Sequence, residues 1–437
     1  MGKQMKENKL SRKKIVELTL RFMARAVLRK YKPRVVAITG SVGKTSAKEA
    51  IFSVLAGSFH ARKSEKNYNN EIGVPLTILG VASGEMSLFG WFLVFAKWLG
   101  IMLFSVRYPE VLVLEMAADR PGDLAYLSEF VHPEISVITE ISASHLEYFK
   151  TLEGVLKEKA TLVKALDEKG LAVINIDNPY LAKLKNKMKT NVLGFGFSEE
   201  AQVRATDVFL NDREMAGLSF KLSYKGATMP MRLNNALAKE NVYAALSGIA
   251  VGIGMGMNLV EIGTNLENFS LPPGRLNLIS GIKNSWIIDD TYNASFKSCE
   301  AAFSLLSQLG QERRKIVVLG DMLELGTQTE EAHRALAGKF LESKGAVFIS
   351  VGTRMQLAVE ELRKQNFSGE IYTFRDPQEA GKKLQSILRF GDLVLVKGSQ
   401  GMRMEKVVEE IMAEPEKAEK LLCRQNKKWK NIPWKEV

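Results

Sequence analysis

The sequence predicts an α/β fold with two parts: a central phosphate-loop domain built on a mostly parallel sheet, and a smaller C-terminal α/β domain of Rossmann-like type. Short, almost uniformly apolar runs alternate with helical stretches along the chain, as the buried strands of a parallel sheet do. The chain has 437 residues, against a usual domain size of roughly 150 residues. We therefore expect two or three domains, each with its own core.

The first residues of the chain are strongly basic. Residues 1–34 contain twelve Lys and Arg against Glu7 and Glu17, in a chain of formal net charge +12. From Ile15 to Leu28, apolar residues at helical spacing alternate with basic ones, which predicts an amphipathic basic helix or an ordinary solvated lead-in helix. This charge permits an anionic membrane or a nucleic acid as partner. Because the basic tails hold few aromatic residues and no nucleic-acid module is recognisable, we expect no nucleic-acid partner.

The stretch VVAITGSVGKTSAKEAI, Val35 to Ile51, predicts a strand, a tight loop and a helix from Lys44. It is a shortened phosphate loop, since two residues rather than four separate Gly40 from Gly43. Backbone N–H groups of such a loop bind phosphate at a helix start, where the helix dipole favours anions. Lys44 would contact the phosphates and the Thr45 hydroxyl would contact Mg²⁺.

The segment after this loop is unusually apolar. Leu88 to Val106 is a run of 19 residues whose single charge is Lys97, and a membrane span needs about 20 residues. A span would put the phosphate loop and Glu115 on opposite faces of a membrane, although both are needed in one site. We therefore favour an interfacial helix or helical hairpin over a buried core element or a true span.

Two polar residues follow the next predicted strands. Glu115 closes the apolar run from Val111, and His145 follows the run from Ile135. Taken singly, each is more often structural. Because the carboxyl ends of parallel strands share one edge, the two side chains and the phosphate loop could form a Mg²⁺ site of oxygen ligands and one imidazole.

The second half of the chain repeats the alternating pattern. Residues 190–235 predict an antiparallel insert, with a helix resuming at Asn235, and the Pro-Pro-Gly of LPPGRLNLI marks a domain boundary. Further strands are expected from Leu171, Trp286, Lys315, Ala346 and Asp392. The expected domains are 1–33 (basic helix), 34–270 (with an apolar insertion at 84–110), 271–412, and a basic Trp-containing tail at 413–437.

The two cysteines, Cys299 and Cys423, are far apart and lack metal-ligand spacing. Neither a disulfide framework nor a zinc site is expected, and a reducing cytoplasm suits this composition. No signal peptide is predicted, because the N-terminus lacks an apolar core followed by small residues. The expected location is the cytoplasm, including the inner face of its membrane.

Eight segments occur in the order typical of the Mur ligases, and the chain from about residue 34 to 410 resembles the MurF type of that family. They are ITGSVGKTS, NYNNEIGVPLTIL, LEMAADRPGDLAYLS, HLEYFKTLEGVLKEKATL, PPGRLNLI, IDDTYNASFKS, VVLGDMLELG and LVKGSQGMRMEKVV. The shortened phosphate loop is typical of these enzymes. The resemblance implies an ATP-dependent ligase that joins D-alanyl-D-alanine to a UDP-N-acetylmuramoyl tripeptide through an acyl phosphate, in peptidoglycan synthesis.

The resemblance also implies roles for individual residues. The catalytic residues would be Lys44, Lys159 and His145, with Lys159 carbamylated, although spacing alone predicts an exposed helix charge at Lys159. Mg²⁺ would be bound by Thr45, Glu115, His145 and Lys159. ATP would be bound by Gly40, Ser41, Gly43, Lys44, Thr45, Ser46, Asn241, Arg275, Asp290, Tyr292 and Asn293. The muramyl peptide and D-alanyl-D-alanine would be bound by Asn69, Asn70, Asp321, Glu324, Lys397, Ser399 and Arg403.

Some features depart from the family pattern. The MurF type normally begins with a separate uridine-binding domain, for which we expect no room before Arg34, so the mode of UDP recognition is in doubt. Glu140 stands where the family has Asn, and Thr161 where it has Glu. One alternative is a ligase acting on a lipid-linked, non-uridylylated or poly-amino-acid acceptor, and another is a membrane-associated ATP-binding scaffold. The aromatic insertion and the basic termini predict contact with a membrane surface.

Overall fold

The computed structural model describes residues 2–430 apart from 66–67, 85–86, 143–145, 168, 212–216, 235, 268 and 324. For 2–13, 88, 146–147 and 427–428 it describes the backbone alone. The predicted site residues His145 and Glu324 lie outside the described residues, as does Trp434 of the tail. The chain divides into two compact units: unit 1 is Met1–Val208, Ser219–Leu233 and Lys239–Phe269, and unit 2 is Phe209–Leu218, Asn234–Ala238 and Ser270–Val437.

Unit 1 carries nearly all of a nine-stranded sheet and the helices that pack on it. Its strands are β1 (Arg34–Thr39), β2 (Ala61–Lys63), β3 (Val111–Glu115), β4 (Ile135–Ile138), β5 (Leu171–Asn175), β6 (Asn191–Gly196), β7 (Val203–Leu210), β8 (Leu218–Tyr224) and β9 (Ala227–Leu233). Its helices are α1 (Gly2–Tyr31), α2 (Lys44–Ala56), α3 (Gly73–Leu79), α4 (Leu88–Leu103), α5 (Asp123–Ser128), α6 (Leu146–Phe149), α7 (Leu152–Lys159), α8 (Thr161–Lys164), α9 (Pro179–Lys185), α10 (Glu240–Gly254) and α11 (Leu259–Leu266).

The first sheet has the strand order β2-β3-β1-β4-β5-β6-β7-β8-β9. The five pairs from β2–β3 to β5–β6, and the pair β6–β7, are parallel. The prediction of an antiparallel insert at 190–235 is therefore wrong for β6, which pairs in parallel with both β5 and β7. The reason is that α9 connects β5 to β6 by a crossover, which brings β6 back parallel to β5. Lys225 and Gly226, which both have positive φ, form the tight turn between β8 and β9, which are neighbours in the sheet.

The helix predicted to resume at Asn235 begins later, at Glu240, and Asn235 lies outside the described residues. An acidic residue in the first turn suits the positive end of the helix dipole, which is a physical reason for this start. The helix α10 packs closely on α2. A Cβ atom at Gly248 would lie 3.0 Å from the carbonyl oxygen of Ala50, so a glycine at this position permits the close contact.

The apolar insertion forms one helix, α4, rather than a hairpin or a buried core element. Its 16 residues measure about 24 Å, shorter than the roughly 30 Å hydrocarbon core of a bilayer. Val94 and Ile101 are buried against the core of unit 1, whereas Phe89 and Phe92 are 69% and 62% exposed. Within the described part of the chain, no helix has both the length and the apolar character needed to cross a membrane.

Unit 2 is built on a six-stranded sheet. Its strands are β10 (Asn277–Ser280), β11 (Trp286–Asp290), β12 (Lys315–Gly320), β13 (Val347–Val351), β14 (Glu370–Phe374) and β15 (Leu393–Lys397). Its helices are α12 (Phe296–Gln308), α13 (Thr329–Glu342), α14 (Gln356–Lys364), α15 (Pro377–Ile387), α16 (Glu405–Ile411), α17 (Ala418–Leu421) and α18 (Lys427–Lys430).

The strand order of this second sheet is β10-β11-β15-β12-β13-β14. Its pairs are parallel except β10 with β11, and separate apolar clusters cover its two faces. The predicted fold class is therefore confirmed: a large, mostly parallel sheet and a second, smaller one, each packed with helices.

Candidate nucleotide and metal site

The phosphate loop joins β1 to α2 and lies against the end of β4. A Cβ atom at Gly40 would lie 2.0 Å from Oγ1 of Thr139, so no side chain fits there. The backbone N–H of Ser41 donates to the carbonyl of Glu140 at 2.8 Å, and Oγ1 of Thr139 donates to the carbonyl of Val42 at 2.6 Å. Because β4 holds the loop at several points, its shape is fixed before any ligand binds.

The loop delivers the chain into the start of α2. Gly43 has a left-handed conformation, with φ of 83°, and no side chain caps the helix. The first-turn N–H groups, including those of Thr45 and Ser46, are thus free of a side-chain cap and lie at the positive end of the dipole. Nζ of Lys44 donates to the carbonyl oxygens of Gly40 at 2.7 Å and Ser41 at 3.2 Å, which keeps its charge over the loop. This arrangement suits a bound phosphate.

Glu115 meets the phosphate loop as predicted from its place at the end of β3. Its carboxylate is buried, and its Oε1 accepts from Oγ1 of Thr45 at 3.3 Å and from Nδ2 of Asn69 at 3.1 Å. Its Oε2 has no hydrogen-bond partner and lies 3.5 Å from Nζ of Lys48. The sequence reasoning missed Lys48, although its position four residues after Lys44 on the same helix was a usable signal.

The pair of Thr45 and Glu115 fits Mg²⁺. Both offer oxygen atoms, and Mg²⁺ commonly takes one or two protein carboxylates and completes its coordination with substrate phosphates and water. The buried, unsatisfied Oε2 of Glu115 is an oxygen that a cation would satisfy. Within the described ranges, no group of three or more His, Cys, Asp or Glu could hold a metal by itself.

Lys159 lies at the end of α7, and it is not the exposed helix charge that spacing alone predicts. Its side chain is only 2% exposed. Burial lowers the pKa of its ammonium to about 8, and the positive charge of Lys44 also lowers that pKa. The neighbouring Glu158 accepts from the backbone N–H groups of Gly122 and Leu124, both at 2.9 Å, which ties α7 to α5. Such a lysine is a neutral amine above about pH 8 and carries a minor neutral fraction at pH 7.

The end of β5 adds polar residues that the sequence reasoning missed. Nδ2 of Asn178 donates to Oε1 of Glu140 at 2.7 Å and to the carbonyl of Ile141 at 2.9 Å. The carboxylate of Asp177 accepts from the hydroxyl of Tyr243 at 2.9 Å, and burial raises the pKa of that hydroxyl. The signal was present, because the apolar run from Leu171 ends in polar residues just as the β3 run ends in Glu115.

The predicted nucleotide residue Asn241 lies at the start of α10, where it is buried. Close by on the same helix, the ring of Tyr243 packs edge to face on Phe197 at a centroid distance of 4.8 Å. Nζ of Lys239 lies 4.5 Å from the centroid of the Phe197 ring. This end of α10 therefore adds an aromatic pair and a positive charge to unit 1.

Several predicted nucleotide residues of unit 2 come together at the end of β11. Nζ of Lys397 donates to Oδ2 of Asp290 at 2.5 Å and to the carbonyl of Asn293 at 3.0 Å. The guanidinium of Arg275 lies 4.3 Å from the centroid of the Tyr292 ring. The ends of β11 and β15 thus bring a buried ion pair, an aromatic ring and an arginine into one region of unit 2.

Two predicted substrate residues, Asp321 and Ser399, are buried and bonded within unit 2. The carboxylate of Asp321 accepts from the backbone N–H groups of Met355 at 2.8 Å and Arg354 at 3.2 Å, before the start of α14. Oγ of Ser399 accepts from the N–H of Leu323 at 2.8 Å. Burial raises the pKa of Asp321. Both side chains therefore brace the loops at the carboxyl edge of the second sheet.

Arg403 is also bonded within unit 2. Its Nε donates to Glu405 at 2.7 Å, and its Nη1 donates to the carbonyl of Trp429 at 3.0 Å, with the guanidinium 5.3 Å from the centroid of the Trp429 ring. Arg424 donates to the other oxygen of Glu405 at 2.6 Å and to the carbonyl of Thr291 at 2.5 Å. This buried triad of charges fastens the C-terminal segment beside the end of β11.

The predicted substrate residues Asn69 and Asn70 have different positions. Asn69 lies in the site, since its amide donates to Glu115. Oδ1 of Asn70 accepts from the N–H groups of Ile72 at 3.2 Å and Gly73 at 2.9 Å, so Asn70 begins the turn into α3. The Asn70 residue is exposed, which leaves its amide nitrogen on the surface.

The fold and site define an α/β protein of the phosphate-loop class, with a carboxylate beside the loop and a second α/β unit. Two family models match the chain: the Mur ligase middle domain over residues 99–252 and the Mur ligase glutamate ligase domain over residues 274–400. The chain belongs to the Mur ligase family, as its sequence motifs predict.

Two proteins of similar sequence carry the same name. The UDP-N-acetylmuramoyl-tripeptide–D-alanyl-D-alanine ligase of Bacillus subtilis is 28% identical over 396 residues, which cover 91% of this chain and 79% of that protein. The ligase of the same name from Escherichia coli is 29% identical over 381 residues, 86% of this chain and 76% of that protein.

Solved structures agree with these sequence matches. A crystal structure of MurF from Acinetobacter baumannii superimposes with a TM-score of 0.75 at 26% identity, over 90% of this chain and 80% of that one. The MurF ligase of Thermotoga maritima in complex with ADP gives a TM-score of 0.70 at 26% identity, over 92% of this chain and 84% of that one.

Proposed function

We propose that the chain is an ATP-dependent ligase that joins D-alanyl-D-alanine to a UDP-N-acetylmuramoyl tripeptide in peptidoglycan synthesis. The observation that carries this proposal is the phosphate loop, with Lys44 over it and Thr45 bonded to the buried carboxylate of Glu115, in a chain of the Mur ligase family. Its relatives in Bacillus subtilis and Escherichia coli are named for this reaction.

The proposed reaction has two steps, and both place negative charge on phosphate or acyl oxygen atoms. The carboxylate of the tripeptide attacks the γ-phosphorus of ATP, and ADP leaves, which gives an acyl phosphate. The amine of D-alanyl-D-alanine then attacks the acyl carbon, phosphate leaves, and the amine loses a proton. Lys44 and the N–H groups of α2 stabilise the negative charge on the phosphate oxygens. Thr45 and Glu115, with His145 as a predicted further ligand, would hold Mg²⁺, which when bound neutralises phosphate charge.

We extend the proposal to a carbamylated Lys159. The reaction needs a neutral amine, whose nitrogen bonds to the carbon of CO₂ and loses a proton, which leaves a carbamate anion. Burial lowers the pKa of Lys159 to about 8, so a larger fraction of its amine is neutral than in an ordinary lysine. The resulting carboxylate-like group would add a further oxygen ligand to the metal site. The names of the relatives say nothing of a modified lysine, so the support is the environment of Lys159 alone.

The remaining predicted residues complete the proposal. Asn241, with the cluster of Arg275, Asp290, Tyr292 and Asn293, is proposed to contact the nucleotide, and Lys397 and Asn69 to contact the peptide substrates. Asp321, Ser399 and Arg403 would act by bracing the loops that carry those contacts, because their polar groups are bonded inside unit 2. We also propose that the enzyme works in the cytoplasm, in contact with the inner surface of the membrane.

The test is release of phosphate from ATP in the presence of Mg²⁺, D-alanyl-D-alanine and UDP-N-acetylmuramoyl tripeptide, with each substrate omitted in turn. We expect turnover only when all are present. Lys44→Ala and Lys159→Ala should abolish it, whereas Lys157→Ala, an exposed lysine on the same helix as Lys159, should not.

Two results would change the proposal. Turnover without D-alanyl-D-alanine would contradict an amide-forming ligase of this specificity. Binding of ATP with no turnover on the uridylylated tripeptide would favour the alternative of a lipid-linked, non-uridylylated or poly-amino-acid acceptor, which the same assay would then test.

A further inference from the structure

A large apolar surface of unit 1 is exposed on two adjacent helices. It consists of Ile15, Leu18 and Phe22 of α1 together with Phe89, Phe92 and Phe95 of α4, and is called the α1–α4 face. On α1 these side chains, with Arg25 and Arg29, follow the three-and-four spacing of one helical stripe. Contiguous exposed apolar patches of this kind mark interaction sites.

The two helices form a single, fixed surface. The ring of Phe22 contacts Trp98 at a centroid distance of 6.2 Å, and Trp98 contacts Phe95 at 5.5 Å. Nζ of Lys30 donates to the carbonyl oxygens of Ile101 at 2.9 Å and of Met102 and Phe104 at 3.0 Å each, so α1 caps the end of α4. These contacts hold α4 in place while its outer side remains exposed.

The chemistry of α4 favours a lipid surface over a protein partner. Among its 16 residues, Lys97 carries the only charge, and the two indole N–H groups of Trp91 and Trp98 are its only other polar side-chain atoms. Protein interfaces carry roughly one hydrogen bond per 100–200 Å² and a polar rim. A bilayer interface needs neither, and it accepts aromatic side chains at the level of the headgroups.

The charge around this surface indicates an anionic bilayer. Arg25 and Arg29 continue the exposed stripe of α1, and Lys97 is exposed on α4. None of these three side chains makes an ion pair with a described residue. Residues 1–34 hold twelve basic residues against two acidic ones. A basic helix with an apolar stripe is the pattern that binds the surface of an anionic membrane.

We propose that the α1–α4 face docks onto an anionic lipid bilayer, with α1 and α4 lying in the interface. Phe22, Phe92 and Phe95 enter the apolar boundary, and Arg25, Arg29 and Lys97 contact lipid phosphates. Neither helix crosses the bilayer. This docking supports the proposed location of the enzyme, but it does not depend on the ligase reaction.

The experiment is flotation of the full-length chain with vesicles of phosphatidylcholine and with vesicles of phosphatidylcholine and phosphatidylglycerol, at low and high salt. We expect binding to the anionic vesicles that weakens with salt. The double variant Arg25→Gln/Arg29→Gln should lower partitioning about 25-fold, since each basic residue near an anionic surface contributes about fivefold. Phe92→Ser/Phe95→Ser should lower it at least about tenfold.

The matched control is Phe390→Ser, which removes a phenylalanine that is 80% exposed in unit 2. It should bind the vesicles as the unaltered chain does. No binding by the unaltered chain, equal binding to both vesicle types, or an equal loss in Phe390→Ser would overturn the proposal. A further result would overturn the proposal: the unaltered chain sediments as a dimer without lipid, and Phe92→Ser/Phe95→Ser makes it monomeric. A second copy of the chain would then cover this face.

The folding of each variant is checked by circular dichroism. All the substituted side chains are exposed, so the fold should remain intact. If the Phe92→Ser/Phe95→Ser variant is unfolded, the flotation of Arg25→Gln/Arg29→Gln tests the proposal instead. A variant that loses vesicle binding but keeps its ligase turnover would show that membrane docking and the ligase reaction are independent properties.

Discussion

The backbone at Gly40 lies so close to the residues just after β4 that this position has no room for a side chain. Gly40→Ala would place a Cβ atom 2.0 Å from Oγ1 of Thr139 and 3.2 Å from the backbone nitrogen of Glu140. We expect a loss of about 1–3 kcal/mol in the free energy of unfolding and weaker ATP binding, because the loop must shift. Urea unfolding and ATP titration measure the two effects.

The control for this change is Gly338→Ala in α13. A Cβ atom at Gly338 meets no atom within 4 Å, and the residue lies inside a helix. The substitution should therefore raise the free energy of unfolding by about 0.5–1 kcal/mol. If Gly40→Ala and Gly338→Ala changed the free energy of unfolding by the same small amount, the close approach of Gly40 to Thr139 would not restrict this position to glycine.

Lys159 predicts a specific dependence of stability on pH. Its pKa is about 8 in the folded protein against 10.5 for an ordinary lysine. Between these values the unfolded chain binds more protons, so the free energy of unfolding should rise with pH from about 8 to about 10.5, by up to about 3 kcal/mol. The measurement is urea unfolding across this range in buffer free of CO₂, which keeps the amine unmodified.

Lys159→Met should remove this slope, and Lys157→Met should retain it, because Lys157 is exposed. An unfolding free energy that does not change between pH 8 and 10.5 in the unaltered protein would show that the amine of Lys159 is solvated in solution. That result would also remove the main support for carbamylation.

At the scale of an element, Asp289 connects β11 to the segment before β10. Its carboxylate accepts from the N–H of Gly274 at 3.0 Å and from Oγ1 of Thr291 at 2.6 Å. Asp289→Ala would leave these donors without their partner, at a cost of about 1–3 kcal/mol each where they stay buried. Asp289→Asn retains an acceptor oxygen and should cost less in urea unfolding.

The same residue gives a pH effect of opposite sign to that of Lys159. Burial raises the pKa of Asp289 from 3.8 to about 6, against the effect of its hydrogen bonds. The folded protein therefore binds more protons than the unfolded chain between these values, and this carboxyl's contribution to stability should fall as pH rises from about 4 to about 6. In Asp289→Asn the free energy of unfolding should not show this decrease between about pH 4 and about pH 6. If the decrease persisted in this variant, another group would be its cause.

Elements built from apolar runs were predictable from sequence, whereas the bonding of single polar residues was not. The strands from Val111 and Ile135 begin where predicted, because a run that is buried on both faces must be apolar throughout. The turn that Asn70 makes before α3 and the bonding of Asp321 before α14 depend on which N–H groups the folded chain brings near, and spacing does not encode that. The burial of Lys159 likewise depends on packing between helices.

At the scale of the whole molecule, each of the two units has its own sheet and apolar core. The phosphate loop, Glu115 and Lys159 all belong to unit 1. A ligand that binds only the folded form stabilises it by about 2.7 kcal/mol at a concentration about 100 times its Kd. ATP with Mg²⁺ should therefore slow hydrogen exchange in peptides from β1, β3 and β4, because the phosphate loop follows β1, Glu115 ends β3, and the loop is bonded to residues just after β4.

The effect of ATP should then be compared between the unaltered chain and Lys44→Ala, which lacks the proposed cationic contact to phosphate. That variant should show the unliganded exchange pattern in β1 and β4 at the same nucleotide concentration. Peptides from β12 and β13 of unit 2 provide an internal reference, since no predicted nucleotide residue lies on them. Protection of β12 and β13 without protection of β1 would contradict a nucleotide site at the phosphate loop, because bound ligand should slow local opening of the segments that form its site.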